Sequence, residues 1–93
     1  APEQVDPRGF GGVDWRTDVY QLGCVLYEMV AGRPPISGGE TPAIIYNVLN
    51  EAPAPIGGVS RELEEFIFKA LSKKKEGRFG SVDVMLYELE KLV

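Results

Sequence analysis

The stretch that decides the fold is residues 17 to 32, which read TDVYQLGCVLYEMVAG. Its apolar side chains fall on every side of a helix of 3.6 residues per turn, and this pattern is typical of a helix that is buried all round. Thr17 can cap the first turn, Asp18 can interact with the positive end of the helix dipole, and Gly32 can end the helix. Because the stretch is shorter than the roughly 20 apolar residues that cross a bilayer, it predicts a central core helix over about residues 17 to 31.

Three further stretches have the apolar spacing of amphipathic helices, with hydrophobic residues three and four positions apart. These stretches are residues 42 to 51, 60 to 71 and 81 to 92. Pro42 is favourable in a first helical turn, and Ser60 and Ser81 can each cap the helix that follows. A short helical turn is also expected near Pro2, and no long stretch alternates apolar and polar residues. The sequence therefore predicts an all-α fold with about four main helices and a short N-terminal helical turn.

The composition is that of a small, mildly acidic globular domain. The chain has 93 residues, a formal net charge of −4, one cysteine and no histidine. These counts exclude an internal disulfide, a conventional zinc site and a hydrolase that depends on histidine, and we expect Cys24 to be a buried, unreactive thiol. The basic run from Lys73 to Lys75 is short and precedes Glu76. We interpret this run as a solvated turn and expect no binding of nucleic acid.

Three separated motifs resemble those of one family, the eukaryotic-type serine/threonine protein kinases. Ala1-Pro2-Glu3 is similar to the A-P-E motif that closes the kinase activation segment. Residues 18 to 23, DVYQLG, are similar to the D-x-[WY]-S-x-G motif that begins the long helix of the C-terminal lobe, and Arg78 is similar to the arginine of the last kinase subdomain. The sequence GRPP at residues 32 to 35 resembles bacterial and archaeal members in particular.

The resemblance implies roles for four charged residues. In the family, the glutamate that matches Glu3 forms an ion pair with the arginine that matches Arg78, and the aspartate that matches Asp18 accepts backbone hydrogen bonds from the catalytic loop. Glu28 matches a position that in some members helps to bind a basic residue of the peptide substrate. Without the family, Glu3 and Asp18 are ordinary carboxylates at helix starts and Arg78 is a solvated arginine.

Two positions depart from the family pattern. Gln21 stands where the family commonly has serine or another small residue, and Lys74-Lys75 stand where it commonly has an Asp-Pro turn. Neither position takes part in chemistry in the family. The departures therefore bear on local geometry and not on the assignment.

The groups that transfer phosphate are missing from these residues. Phosphoryl transfer in kinases needs a glycine-rich loop over the nucleotide, a lysine for its phosphates, a catalytic-loop aspartate and a D-F-G aspartate for magnesium. In the family all of them precede the A-P-E motif, and none of these motifs occurs in the 93 residues. We therefore assign no catalytic, cofactor-binding or metal-binding residue to the chain, and the resemblance implies that the parent domain binds ATP and magnesium elsewhere.

The leading hypothesis is a partial kinase domain over residues 1–93, from A-P-E to the last helix of the C-terminal lobe, that supplies scaffold and docking surface and is inactive alone. Its expected partners are the rest of the kinase domain and the protein substrate of the parent. We also expect a cytoplasmic location without membrane contact from this segment, and self-association if core surface is exposed.

The alternative is a stand-alone helical interaction module or a truncated pseudokinase relic. The chain opens on Ala1 without an initiator methionine, which suggests a processed or excised piece. Nucleotide-binding motifs encoded upstream of Ala1 would favour the kinase fragment, and a start codon close to Ala1 would favour the module.

Overall fold

The computed structural model describes residues 1–35, 48 and 52–92. In chain order its helices are α1 (Pro2–Val5), α2 (Pro7–Phe10), α3 (Trp15–Ala31), α4 (Arg61–Ala70) and α5 (Val82–Glu90), with a 3₁₀ turn at Lys75–Gly77 before α5. The described residues contain no β-strand, so the all-α prediction is confirmed. The helix predicted over residues 42–51 lies outside the described residues except for Val48, which is helical. None of the described helices combines the length and the hydropathy that crossing a bilayer requires.

Helix α3 begins two residues before the predicted start, because Asp14 caps it and Thr17 does not. The Asp14 carboxylate accepts a hydrogen bond of 2.8 Å from the Arg16 backbone N–H, and the Thr17 hydroxyl accepts one of 3.2 Å from the Asp14 backbone N–H. This reciprocal arrangement is a capping box, which satisfies amides that have no partner within the helix. The predicted end is confirmed: Gly32 is left-handed with φ of 76°, and its N–H bonds the Glu28 carbonyl oxygen at 2.9 Å.

The core lies between one face of α3 and the inner faces of α4 and α5. Val19, Tyr27 and Ile67 are fully buried, and Met85 of α5 is 2% exposed. Helices α3 and α4 come especially close at Gly23, where a Cβ atom would lie 2.9 Å from the Cβ of Ala70. Helix α3 therefore packs against both later helices.

The predicted caps of the two later helices are also present. The Ser60 hydroxyl accepts a hydrogen bond of 3.2 Å from the backbone N–H of Leu63, which begins α4. The Ser81 hydroxyl accepts one of 3.1 Å from the backbone N–H of Val84, which begins α5. Each cap satisfies a first-turn amide that has no acceptor within its helix.

The prediction that α3 is buried all round is wrong for the part of the chain that the structure describes. Its outer side carries an apolar stripe that we call the outer stripe: Trp15, Leu22, Val25 and Met29, which are 65%, 38%, 53% and 74% exposed. The apolar pattern records that this helix favours burial on every side, but the described elements pack against one side only. Large apolar side chains grouped in this way are typical of a surface that another protein segment covers.

Candidate functional site

Among the described residues, a buried ion pair joins Glu3 of α1 to Arg78, which follows the 3₁₀ turn. Both side chains are completely buried. The guanidinium donates two parallel hydrogen bonds to the carboxylate, from Nη1 to Oε2 at 2.6 Å and from Nη2 to Oε1 at 2.8 Å. This two-point geometry is the strongest form of an arginine–carboxylate contact. The structure thus contains the ion pair that the family resemblance implied.

Every remaining donor of Arg78 also has an acceptor. The other guanidinium N–H groups donate to three backbone carbonyl oxygens: those of Ser72 at 2.8 Å, Arg16 at 3.0 Å and Lys73 at 3.1 Å. Within the described residues no buried side-chain nitrogen or oxygen lacks a hydrogen-bond partner. A charge taken out of water is tolerated when it is both paired and fully hydrogen-bonded, and Arg78 meets both conditions.

Helix α3 supplies two further contacts to this ion pair. The Thr17 hydroxyl donates a hydrogen bond of 2.7 Å to Oε2 of Glu3. The guanidinium carbon of Arg78 lies 4.8 Å from the centre of the Tyr20 ring, within the range of a cation–π contact. The ion pair therefore connects α1, the first turns of α3 and the segment before α5.

The surroundings keep the Glu3 carboxylate ionised. Burial by itself raises the pKa of Glu3, but the hydrogen bonds from Arg78 and Thr17 outweigh it and lower the pKa to about 2. Burial raises the pKa of the Tyr20 hydroxyl to about 12, so this ring stays neutral beside the cation. The charges of the site are thus one carboxylate and one guanidinium, held in contact.

A second polar cluster lies beside the ion pair and centres on Asp14. Its carboxylate accepts hydrogen bonds from Arg16 Nη2 at 3.0 Å and from Lys75 Nζ at 3.1 Å. Lys75 also donates to the backbone carbonyl oxygen of Gly12, and its side chain is only 11% exposed. The hydrogen bonds from Arg16, with a further contribution from Lys75, hold the pKa of Asp14 well below its usual range.

The solvated-turn interpretation of residues 73 to 75 is therefore wrong for Lys75. Its acceptors lie more than sixty positions earlier in the chain, at Gly12 and Asp14, so no local pattern could indicate them. Lys74 is exposed, as the interpretation required. Lys75, which stands where the family commonly has proline, links the loop before α3 to the 3₁₀ turn through these hydrogen bonds.

We expect Lys75→Met to lower the free energy of unfolding by about 1 to 2 kcal/mol, because the methionine keeps the apolar stem but loses both hydrogen bonds of Nζ. Urea unfolding followed by circular dichroism measures this loss. Lys74→Met is the matched control and should change the stability by less than about 0.5 kcal/mol, since Lys74 is exposed. Equal losses in the two variants would contradict the role of Lys75.

The other departure from the family pattern, Gln21, also contacts the beginning of the chain. Its side-chain amide donates a hydrogen bond of 2.7 Å to the side-chain oxygen of Gln4 in α1. Because both side chains are exposed, this bond contributes less than the bonds of the buried ion pair. Gln21 and Lys75 thus both hold residues 1–14 against the helical core.

Asp18 and Glu28 are not part of the buried site. Both side chains are exposed on α3, and neither carboxylate has a hydrogen bond or an ion pair with the described residues. Asp18 follows Trp15 by three positions and precedes Leu22 by four, so it lies on the outer stripe. The structure therefore brings Glu3 and Arg78 together and leaves Asp18 and Glu28 facing outward.

Cys24 is half-buried, and burial raises the pKa of its thiol. A raised pKa keeps the thiol protonated and less reactive, but the full burial that the sequence predicted is not observed. In the part of the chain that the structure describes, His, Cys, Asp and Glu side chains form no group of three or more that could hold a metal ion.

The sequence patterns did not indicate Thr17 and Tyr20 as partners of the ion pair. Thr17 was assigned to a cap, although its hydroxyl bonds a carboxylate fourteen positions earlier in the chain. Tyr20 was counted as one apolar residue of the core helix. The available signal was their position three residues apart in the first turns of α3, which places both on the face that meets Arg78.

Comparison with curated proteins identifies the family. The chain is 40% identical over 93 residues to the serine/threonine-protein kinase PknB of Mycobacterium tuberculosis, an alignment that covers 96% of this chain and 14% of that kinase. It is 34% identical over 84 residues to a probable kinase of the same name from Bifidobacterium longum, with 81% of this chain and 12% of the relative covered. A probable serine/threonine-protein kinase of Streptomyces coelicolor is 37% identical over 82 residues, with 84% and 12% covered. No protein-family model matches the chain.

The chain belongs to the serine/threonine protein kinases, as its motifs predicted. It spans only 12 to 14% of the length of these relatives, so it corresponds to a part of such a kinase. The all-α architecture agrees with a segment of the helical C-terminal lobe.

Proposed function

We propose that this chain is part of the catalytic domain of an ATP-dependent serine/threonine protein kinase, where it forms scaffold and docking surface of the C-terminal lobe. The observation that carries the proposal is the outer stripe of α3 with Asp18 in its middle. Trp15, Asp18, Leu22, Val25 and Met29 follow one another at spacings of three and four, so they lie on one helical face. All five are exposed.

A surface of this kind favours a partner segment that covers the apolar side chains and donates hydrogen bonds from its backbone amides. The four apolar side chains gain free energy when they leave water, and the carboxylate among them needs hydrogen-bond donors if it is to be covered as well. The rest of the kinase domain provides both in this proposal, with the catalytic loop donating backbone N–H groups to Asp18. The covering segment is thereby fixed in orientation as well as in place.

The chemical step belongs to the remainder of the domain. Phosphoryl transfer depends almost entirely on positioning and on charge stabilisation by the nucleotide loop, the lysine and the magnesium-binding residues. The parent domain binds ATP and magnesium through those groups, in the cytoplasm where ATP is abundant, and this chain alone transfers no phosphate. Glu28, which is exposed one position before Met29, is the proposed contact for a basic residue of the protein substrate.

The proposal also predicts how the isolated chain behaves. With the outer stripe uncovered, two copies can bury their stripes against each other, so the chain self-associates when it is alone. The rest of the kinase domain competes for the same surface, and its presence returns the chain to a one-to-one arrangement.

A chimaeric kinase tests this function directly. The matching segment of the Mycobacterium tuberculosis kinase is replaced by these 93 residues, and phosphate transfer from labelled ATP to a peptide is measured. We expect the chimaera to be active and Asp18→Ala to lower its kcat by about tenfold or more, equivalent to about 1.4 kcal/mol of transition-state stabilisation. Asp83→Ala in the first turn of α5 is the control, because Asp83 is exposed and far along the chain from the stripe.

Two outcomes would contradict the proposal. A chimaera that is folded by circular dichroism but transfers no phosphate would show that the segment cannot serve as kinase scaffold. Phosphate incorporation by the 93-residue chain alone, above a blank without protein, would show that the transfer machinery lies within it.

A further inference from the structure

A groove runs between α4 and α5. Its floor is formed by the rings of Phe66 and Phe79, whose centres are 4.8 Å apart and which are each 6% exposed. Val84 and Leu92 form apolar walls and are 47% and 42% exposed. The groove has a volume of about 520 Å³. As far as the described residues show, it is open to solvent. It can therefore accept a large apolar side chain from outside.

The charged groups that line the groove are mostly carboxylates. Glu62 and Glu65 of α4 stand on one side, and Glu88 of α5 stands on the other. Of the two cations in the lining, Arg78 is neutralised by its buried pair with Glu3. The remaining cation, Lys69, lies 5.0 Å from the centre of the Phe79 ring. The rim of the groove thus carries an excess of negative charge above an apolar floor.

These carboxylates are free to change partners. The Glu62 carboxylate has no hydrogen bond or ion pair with the described residues. Glu65 pairs with Arg61 at 3.2 Å and Glu88 pairs with Lys91 at 3.4 Å, but the partners are three or four positions apart and the four side chains are 42% to 86% exposed. Exposed pairs of this kind contribute little to stability, so cations from a ligand can replace them at small cost.

We propose that the groove between α4 and α5 binds a peptide segment of a partner protein in which an apolar side chain is flanked by lysine or arginine. The apolar side chain packs on Phe66 and Phe79, and the flanking cations bond Glu62 and Glu65 on one side and Glu88 on the other. Anionic ligands such as nucleotides or phosphopeptides are disfavoured by the same carboxylates. The volume of about 520 Å³ lies within the range of ligand sites, roughly 300 to 1,000 Å³.

This binding is independent of phosphate transfer. None of the groove residues lies on the outer stripe, and no nucleotide is involved. The surface therefore adds a docking function to the chain whether or not the segment operates within an active kinase.

Fluorescence anisotropy with the whole 93-residue chain tests the proposal. The probe is a short fluorescein-labelled peptide of sequence Lys-Arg-Leu-Leu-Arg-Lys. We expect saturable binding that weakens by about tenfold or more in Glu62→Lys/Glu65→Lys, because two attractions become repulsions. Glu90→Lys is the matched control and should leave the affinity within about twofold, since Glu90 is exposed and does not line the groove.

A second variant fills the groove without disturbing the core. Gly80 lines it, and a Cβ atom there would meet nothing within 4 Å, so Gly80→Phe can project a ring into the free space. We expect this variant to keep its circular dichroism spectrum and to lose peptide binding by about tenfold or more. Gly57→Phe is its control, because a Cβ atom there also meets nothing and Gly57 does not line the groove.

Three results would overturn the proposal. They are the absence of saturable binding, equal affinity for a probe in which glutamate replaces every lysine and arginine, and undiminished binding by Gly80→Phe. If Glu62→Lys/Glu65→Lys does not fold, Gly80→Phe and the acidic probe decide the question.

Discussion

Replacing Glu3 by Gln is expected to lower the free energy of unfolding by about 3 to 5 kcal/mol, because the Arg78 guanidinium would remain buried without a counter-charge. Both side chains are fully buried, so water cannot compensate for the lost charge. Arg78→Met should have a loss of the same order, since the Glu3 carboxylate would then be stranded. Urea unfolding measured by circular dichroism gives both values.

The exposed pair between Arg61 and Glu65 provides the control. Their side chains are 86% and 67% exposed, so Glu65→Gln should cost less than about 1 kcal/mol. The double variant Glu3→Gln/Arg78→Met should lose less than the sum of the two single variants, because neither charge is then left alone. A loss below about 1 kcal/mol in Glu3→Gln would show that the pair does not stabilise the fold.

Acid titration checks the same contact by another route. The pKa of Glu3 is lowered to about 2 from an ordinary value of 4.5, so the unfolded chain binds its proton at higher pH than the folded one. The stabilisation from this carboxylate is therefore fully present above about pH 4.5 and is lost as the pH falls towards about 2. In Glu3→Gln this part of the acid dependence should disappear, while the dependence from other carboxylates remains.

The local signals in the sequence located three helix ends correctly and misplaced the start of α3 by two residues. Ser60 and Ser81 cap the helices they were expected to cap, and Gly32 ends α3, because these functions depend on residues a few positions away. The contact between Glu3 and Arg78 spans 75 positions, and composition and periodicity cannot indicate a pair at that distance. It could be expected only through the resemblance to kinases.

The predictions that proved wrong depended on contacts that local sequence patterns do not record. The apolar pattern of α3 shows that each side of the helix favours burial. It does not show which other part of a protein, in this chain or in another, covers each side. Lys75 was assigned to solvent because its neighbours in sequence are charged, whereas its acceptors are Gly12 and Asp14. Long-range partners of this kind become visible only when the helices are packed.

Gly23→Val is expected to lower the free energy of unfolding by about 3 kcal/mol, the upper end of the usual range for an overpacked core. A Cβ atom at Gly23 would lie 2.9 Å from the Cβ of Ala70 and 3.2 Å from Cδ2 of Leu71. Ala70 and Leu71 are 0% and 2% exposed, and the Cβ of Ala70 is fixed to its backbone, so α3 and α4 must move apart. Urea unfolding measures the loss.

Two comparisons distinguish the effect of the steric clash at Gly23 from the general effect of replacing glycine by valine. Gly57→Val should change the stability by less than about 0.5 kcal/mol, because a Cβ atom at Gly57 meets nothing within 4 Å. Ala70→Gly removes the Cβ that faces Gly23, so the double variant Gly23→Val/Ala70→Gly should show a favourable coupling of about 1 kcal/mol or more, even though glycine weakens α4. If the effects of the two substitutions simply add, α3 and α4 are not held in contact at Gly23, and the packing of the central helix against α4 must be looser than these distances require.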